Sequence, residues 1–223
     1  MTPPRAVLSW SSGKDCAWAG HMAQQTGQAE IAALLTTTNE AFDRVAMHGT
    51  RNALLRAQAA AMDVELIEVP LPWPCSNEVY QDRMAEAVAK LAERGLNHMI
   101  FGDLFLEDVR TYREANLAGS GITPLFPLWG RDTAELALEM IDGGLEAHLV
   151  TLDPTRLPAD FAGRRYDRAL LAALPEGIDP CGENGEFHTA VSNCPLFKAP
   201  LHVAPGEVVT RDGFVYADLV PSI

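Results

Sequence analysis

Cysteine is scarce and scattered: the chain has four, Cys16, Cys75, Cys181 and Cys194, with no C-x-x-C pair. That excludes a readable disulfide framework or zinc knuckle. Cys181, His188 and Cys194 lie seven and six residues apart, a spacing that matches no common zinc pattern. Basic residues are outnumbered too, 17 Lys and Arg against 30 Asp and Glu, for a formal net charge of −13. A broad phosphate-backbone footprint needs the opposite balance, which argues against a nucleic-acid partner. No apolar run approaches the ~18 residues of a membrane span. The N-terminus lacks the apolar core of a signal peptide, so the expected location is the cytoplasm and no membrane partner is expected.

What is present is an ordinary globular composition, 48% hydrophobic and 21% charged over 223 residues, long enough for one large or two small domains. Residues 5–10 read as a strand and 14–25 as a helix, with a small-residue turn between them. A β-branched run over 31–38, a helix over 50–62 and a strand over 64–69 follow. The segment from Pro70 to Pro74 holds three prolines and is expected to be irregular. Ser76 opens a helix to about residue 94, which Gly95 terminates, and 98–102 is the next strand. Further on, 132–142 and 164–174 read as helices and 146–152 as a strand. Residues 177–193 are rich in Gly, Asn and Glu, and 201–220 read as a hairpin turning at Arg211-Asp212-Gly213.

Strand and helix in alternation imply a parallel, Rossmann-like sheet with helices on both faces, followed by a smaller C-terminal α+β region. The expected boundary lies near Gly130, giving domains 1–130 and 131–223. Ligands of such sheets bind at the carboxyl ends of the strands, near a switch in strand order. The turns at 11–15, 36–40 and 102–108 are therefore the positions to inspect.

The first turn, Ser11-Ser12-Gly13-Lys14-Asp15, leaves a strand and opens a helix, so backbone N–H groups and the helix dipole favour an anion there. Gly13 admits an anion close to the backbone, and the Ser11 and Ser12 hydroxyls are expected to add donors. A Walker A loop fails, because Leu8 stands where its first glycine would be and Asp15 where its hydroxyl would be.

Ser11-Ser12-Gly13-Lys14-Asp15-Cys16 after a first strand resembles the S-G-G-K-D-S signature of the PP-loop ATP pyrophosphatases, which share the adenine nucleotide alpha hydrolase-like fold. Gly102-Asp103, Asp108-Val109-Arg110, Pro127-Leu128-Trp129 and above all Gly182-Glu183-Asn184-Gly185-Glu186-Phe187-His188-Thr189 resemble the diphthine–ammonia ligase family and its bacterial relatives. The resemblance runs from the first strand to about Thr189. This chain departs from the signature at Ser12, in place of glycine, and at Cys16, in place of serine, which puts a hydroxyl contact to phosphate in question.

The resemblance implies an ATP-dependent ligase. A carboxylate is adenylated with release of pyrophosphate, and ammonia then displaces AMP. It implies ATP and Mg2+ as cofactors, and a small-molecule or protein-borne carboxylate plus ammonium as partners, with a homodimer as one assembly. No glutaminase-like segment is visible, so free ammonium or a partner would supply nitrogen. The ATP site would comprise Ser9, Trp10, Ser11, Ser12, Gly13, Lys14, Asp15, Cys16, Thr37, Asn39, Gly102 and Asp103, with Asp15 and Asp103 on the metal. Lys14, Asp15, Glu183 and Glu186 would be catalytic. Ser76, Asn77, Glu78, Tyr80, Arg110, Glu114, Glu183, Asn184, Glu186 and His188 would bind the acceptor.

Plainer readings stand beside these. Asp103 is also a natural helix N-cap, and Arg110, Arg113 and Glu114, which share one helical face, fit a surface ion-pair network as well as they fit binding of a phosphate or a substrate carboxylate. Residues 76–80 also fit a simple helix start, and the Glu183 to His188 stretch a solvated loop. His21, His48, His98, His148 and His202 follow no partner pattern. Two further functions share the loop: sulfur transfer to RNA, with Cys181 or Cys194 carrying a persulfide, and a nucleotide-sensing module without turnover.

Overall fold

The computed structural model describes residues 2–45 and 49–222; His48 lies outside them. Two sheets form. In the first, β1 (Arg5–Ser9), β2 (Glu30–Asn39), β4 (Glu65–Leu71), β5 (His98–Ile100) and β6 (Thr123–Leu125) run parallel in the order β4-β2-β1-β5-β6. The two-residue β3 (Arg44–Val45) adds antiparallel to the end of β2. The connecting helices are α1 (Lys14–Gln25), α2 (Asn52–Met62), α3 (Asn77–Glu93) and α4 (Glu107–Leu117). The chain builds outward from β1 to β4 on one side and then returns to β5 on the other, so the switch in strand order falls between β1 and β5.

The second sheet is antiparallel, in the order β8-β7-β10-β9. It contains β7 (Glu146–Leu152), β8 (Phe187–Asn193), β9 (Val203–Arg211) and β10 (Phe214–Pro221), with helices α5 (Thr133–Asp142) and α6 (Arg168–Ala173). No helix among the described residues is long and apolar enough to cross a membrane.

The central strand β1 is buried on both faces, as a parallel strand under two helical layers must be. Its alternation divides the core: Ala6 and Leu8 join a cluster with Ala17 of α1, Leu149 of β7 and Val191 of β8. Val7 joins Leu35, Leu91 and Met99 on the opposite face, under α3 and α4. The second sheet therefore packs on the α1 and α2 side, and the α3 and α4 side is left for a separate layer.

Local signals act as their chemistry dictates. Ser76 is the N-cap of α3, its hydroxyl accepting from the Val79 N–H at 3.3 Å. Gly95 follows the end of α3 at φ +72°, and the Leu96 N–H closes back onto the Leu91 carbonyl. Asp212 and Gly213, both at positive φ, form the two-residue turn between β9 and β10.

Four expectations are corrected. Pro70 and Leu71 belong to β4, where they pair with Thr38 and Asn39; a proline is tolerated because β4 is an edge strand. The helix expected over 164–174 shrinks to Arg168–Ala173, because Asp167 caps it, accepting from the Leu170 N–H at 2.8 Å, while His148 bridges Arg165. The solvated-loop reading of the Glu183 to His188 stretch gives way to a buried strand, β8, from Phe187 onward. Asp103 caps nothing: Leu106 occupies the N-cap position of α4.

Candidate active site

The turn after β1 is held from beneath. The Trp10 N–H donates to the Leu35 carbonyl at 2.8 Å and the Trp10 carbonyl accepts from the Thr36 hydroxyl at 2.7 Å, so β1 and β2 stay in register to their ends. Ser12 adopts φ 77°, a left-handed conformation that glycine takes freely and serine does not. Three hydrogen bonds hold it there: its hydroxyl donates to Gln58 Oε1 at 2.7 Å, and its carbonyl accepts from the Val191 N–H at 2.9 Å and from Gln58 Nε2 at 3.3 Å. The expectation that this hydroxyl faces a phosphate is corrected, since it is turned inward and fully buried.

Cys16 is also turned into the loop. Its thiol accepts from the Ser11 N–H at 3.4 Å and donates to the Gly13 carbonyl at 3.1 Å. Burial raises its pKa, so the thiol keeps its proton. The sulfur fills a place inside the turn, and a phosphate contact there falls to other groups.

Lys14, expected in the ATP site, is 1% exposed. Its ammonium pairs with Asp15 at 2.8 Å and donates to the Cys181 carbonyl. The Tyr166 and Phe187 rings each stand 5.4 Å from Nζ. The backbone follows suit, the Lys14 N–H donating to the Thr189 hydroxyl at 3.1 Å. Burial works against the Lys14 charge, but Asp15 and neighbouring acidic groups outweigh it and raise the pKa. Lys14 thus ties the loop to the second sheet, and Phe187 is part of its cage.

The loop and the Gly182 to Thr189 stretch, more than 160 residues apart in sequence, meet here. Glu183 Oε1 accepts from the Leu104 N–H at 2.8 Å, beside Asp103. Burial is the main cause that lifts the Glu183 carboxyl to about 7. His188 is held near 4 by burial and by Lys14, and so stays neutral. Glu186 is buried and serves its own loop: its Oε1 accepts from Asn184 Nδ2 at 3.2 Å and the Asp179 N–H at 3.3 Å, with Arg156 3.7 Å away. Gly102 packs against α1 so tightly that a Cβ there would sit 2.6 Å from the Cys16 nitrogen and 2.7 Å from the Asp15 carbonyl carbon.

On the other side of the loop lies a cavity of about 840 Å³ at the carboxyl ends of β1, β2 and β4, within the usual range for small-molecule sites. Of the residues expected from sequence, Ser9, Trp10, Ser11, Thr37 and Asn39 line it, and so do Ser76, Asn77 and Tyr80 from α3. Glu78 does not, and Arg110 pairs with Glu114 at 2.8 Å while stacking over the Phe126 and Trp129 rings at 4.8 and 4.7 Å. Trp73, Phe101 and Tyr112 line the cavity and were missed as site residues, and Arg113, weighed with Arg110 and Glu114 for binding phosphate or a substrate carboxylate, lines it as well. The Arg110, Arg113 and Glu114 pattern named the right helix turn, but it could not say which arginine points inward.

Asp15 lies in the first turn of α1 and Asp103 just after β5, and Asp103 is met by Arg113 Nε at 3.4 Å. Among the described residues no group of three His, Cys, Asp or Glu side chains forms a ready metal site. Cys181 and Cys194 are buried, and burial lifts both thiols to about 12. They are poor nucleophiles, so the persulfide reading is not favoured.

Residues 132–217 match the family model described as the diphthamide synthase C-terminal domain. Diphthine–ammonia ligase of Bos taurus is 28% identical over 154 residues, covering 66% of this chain and 57% of that protein. The human enzyme of that name is 31% identical over 118 residues, 50% of this chain and 44% of its own length. The Danio rerio enzyme is 35% identical over 118 residues, 50% of this chain and 46% of its own length. The chain therefore spans about half the length of the curated relatives it matches. The chain thus carries the signature loop at its switch point, has a C-terminal sheet matched to that domain, and is similar to diphthine–ammonia ligases over about half of their length.

Proposed function

We propose that this protein is an ATP-dependent, AMP-forming ligase that joins ammonia to a carboxylate. The observation that carries the reading is the signature loop at the switch point, opening onto a cavity whose walls include Ser9, Ser11, Thr37 and Asn39. Nucleotides bind in this place in sheets of this topology, and the curated relatives are named for ammonia ligation.

A carboxylate resists attack by ammonia because its leaving group would be oxide. In the proposed reaction a carboxylate oxygen bonds to the α-phosphorus of ATP, and the bond to the β-phosphate oxygen breaks, releasing pyrophosphate. The nitrogen of ammonia then bonds to the acyl carbon, AMP leaves, and the nitrogen loses a proton. The loop backbone and the N-terminus of α1 favour the negative charge that gathers on phosphate. Glu183, with a carboxyl near pKa 7, is suited to take a proton from ammonium at neutral pH. Lys14 and Asp15 hold the loop against the second sheet through their ion pair.

Asp15 and Asp103 supply hard oxygen donors, the chemistry Mg2+ takes, and Mg2+ on nucleotide phosphates needs only one or two protein carboxylates. They would hold it, and bound there it would neutralise phosphate charge. In the same reading residues 1–130 bind the nucleotide and 131–223 serve the acceptor, in the cytoplasm.

Incubation with ATP, Mg2+, ammonium and a pool of cellular carboxylate metabolites, followed by phosphorus NMR, tests the proposal. AMP with pyrophosphate is expected, rising with the carboxylate that is the acceptor. ADP with phosphate would overturn it.

A further inference from the structure

The chain carries 30 acidic side chains and a net charge of −13, yet among the described residues that line the 840 Å³ cavity none is acidic and one is charged, Arg113 of α4. A wall drawn at random from this surface would be negative. Burying a lone cation at a cavity wall is unfavourable unless something compensates it, and the groups around Arg113 position the guanidinium without covering it. Its Nε approaches Asp103 Oδ2 at 3.4 Å, its guanidinium carbon lies over the Phe101 ring at 5.0 Å, and its charge acts on the Tyr80 phenol nearby. A guanidinium has five N–H donors in a flat fork, more than these contacts use, and Arg113 remains 30% exposed. A second positive feature faces the same space. Ser76 and Asn77, the first residues of the 17-residue helix α3, line the cavity, and a helix start carries partial positive charge.

We propose that Arg113 is a specificity-determining residue that reads an oxyanion in this cavity, either a phosphate of the nucleotide or the carboxylate of the acceptor. The inference rests on reading this cavity as the ligase's substrate site. Phosphate and carboxylate share the chemistry that a guanidinium fork recognises. Phe101 and Asp103 hold the fork in place, so little freedom is lost when the anion arrives. Arg110, one turn earlier, is committed to Glu114 and to two aromatic rings, which assigns the anion to Arg113.

The test compares charged and neutral ligands in binding, without turnover. Affinities of AMP against adenosine, and of benzoate against benzamide, are measured by ligand-observed NMR for the native chain, Arg113→Gln, Arg113→Lys and, as a control for loss of one exposed positive charge, Lys90→Gln on α3. The native chain and Lys90→Gln are expected to favour the charged member of at least one pair. Arg113→Gln is expected to lose about tenfold or more of that preference, with the neutral member bound as before, and Arg113→Lys to recover part of it. Loss in the AMP pair identifies phosphate as the anion read, and loss in the benzoate pair identifies carboxylate. A preference unchanged in Arg113→Gln for both pairs overturns the proposal, and so does an equal loss for charged and neutral members. Since no turnover is involved, absence of AMP and pyrophosphate in the product assay would sink the ligase reading alone.

Discussion

The two faces of the loop after β1 are built by opposite rules. Toward the second sheet stand its charged letters, Lys14 and Asp15, paired with each other at 2.8 Å and boxed in by Cys181, Tyr166 and Phe187. Toward the cavity stand Ser9 and Ser11, uncharged and partly exposed, with Trp10 buried behind them and its indole N–H committed to Gln58. A charge invites a chemical role when met in a sequence. Here Lys14 anchors, because an ammonium in an apolar layer requires a carboxylate and a carbonyl, and those requirements fix the loop's position, while Asp15 stays partly exposed at its edge. The uncharged face is free to receive a polyanion without a carboxylate repelling it.

The largest effect expected is from Lys14→Met, which leaves Asp15 and the Cys181 carbonyl without their cation. Breaking such a pair costs roughly 3 kcal/mol, the low end of the range because Asp15 is partly exposed, and urea denaturation should report it. Asp15→Asn added to Lys14→Met should restore part of the loss. A Lys14→Met chain as stable as the native one, lacking only ATP turnover, would reverse the assignment of the two faces. Next comes Gly102→Ala, whose Cβ would press on the Asp15 and Cys16 backbone. Overpacking of this kind costs about 1–3 kcal/mol, and because the strain falls on the loop itself, ATP affinity should drop further than the melting temperature suggests.

Glu183 sharpens the comparison through pH. Its folded-state carboxyl titrates near 7, against an ordinary value of 4.5, so the folded chain binds this proton more tightly than the unfolded one. The contribution is fully present below about pH 4.5 and is lost as pH rises through about 7. Glu183→Gln should therefore lose less stability than the native chain between about pH 5 and about pH 8, measured as denaturation midpoints. Parallel curves would show that the carboxyl is not held as described. The smallest effect is that of Lys90→Ala, which removes an exposed i,i+4 pair with Glu86. It should cost about 0.3–0.5 kcal/mol and leave nucleotide affinity unchanged.

Much of the parallel sheet was legible because its signals are local: alternation of strand and helix, the Ser76 cap, Gly95, and the Asp212-Gly213 turn. The strand β8 was not, since Gly182 and Gly185 disguise its approach and its burial comes from α1 and β7, which no local pattern reports. The cavity's Ser9, Thr37, Asn39 and Tyr80 followed from strand ends and motif positions. Arg113 could be named but not told from Arg110, because three residues on one helical turn share a face in sequence and only packing against Phe101 and Phe126 separates them. Lys14 and Ser12 were misjudged for a related reason: their partners, Cys181, Gln58 and Val191, are distant in the chain.

Photoaffinity labelling with 8-azido-ATP, followed by peptide mapping, tests most directly where the nucleotide sits. Labelled peptides from the end of β2 and the start of α3, around Thr37, Asn39 and residues 73–80, are the result predicted. Label confined to the second sheet, on peptides around Tyr166 or Phe187, would contradict the account and make the charged face of the loop the nucleotide's own.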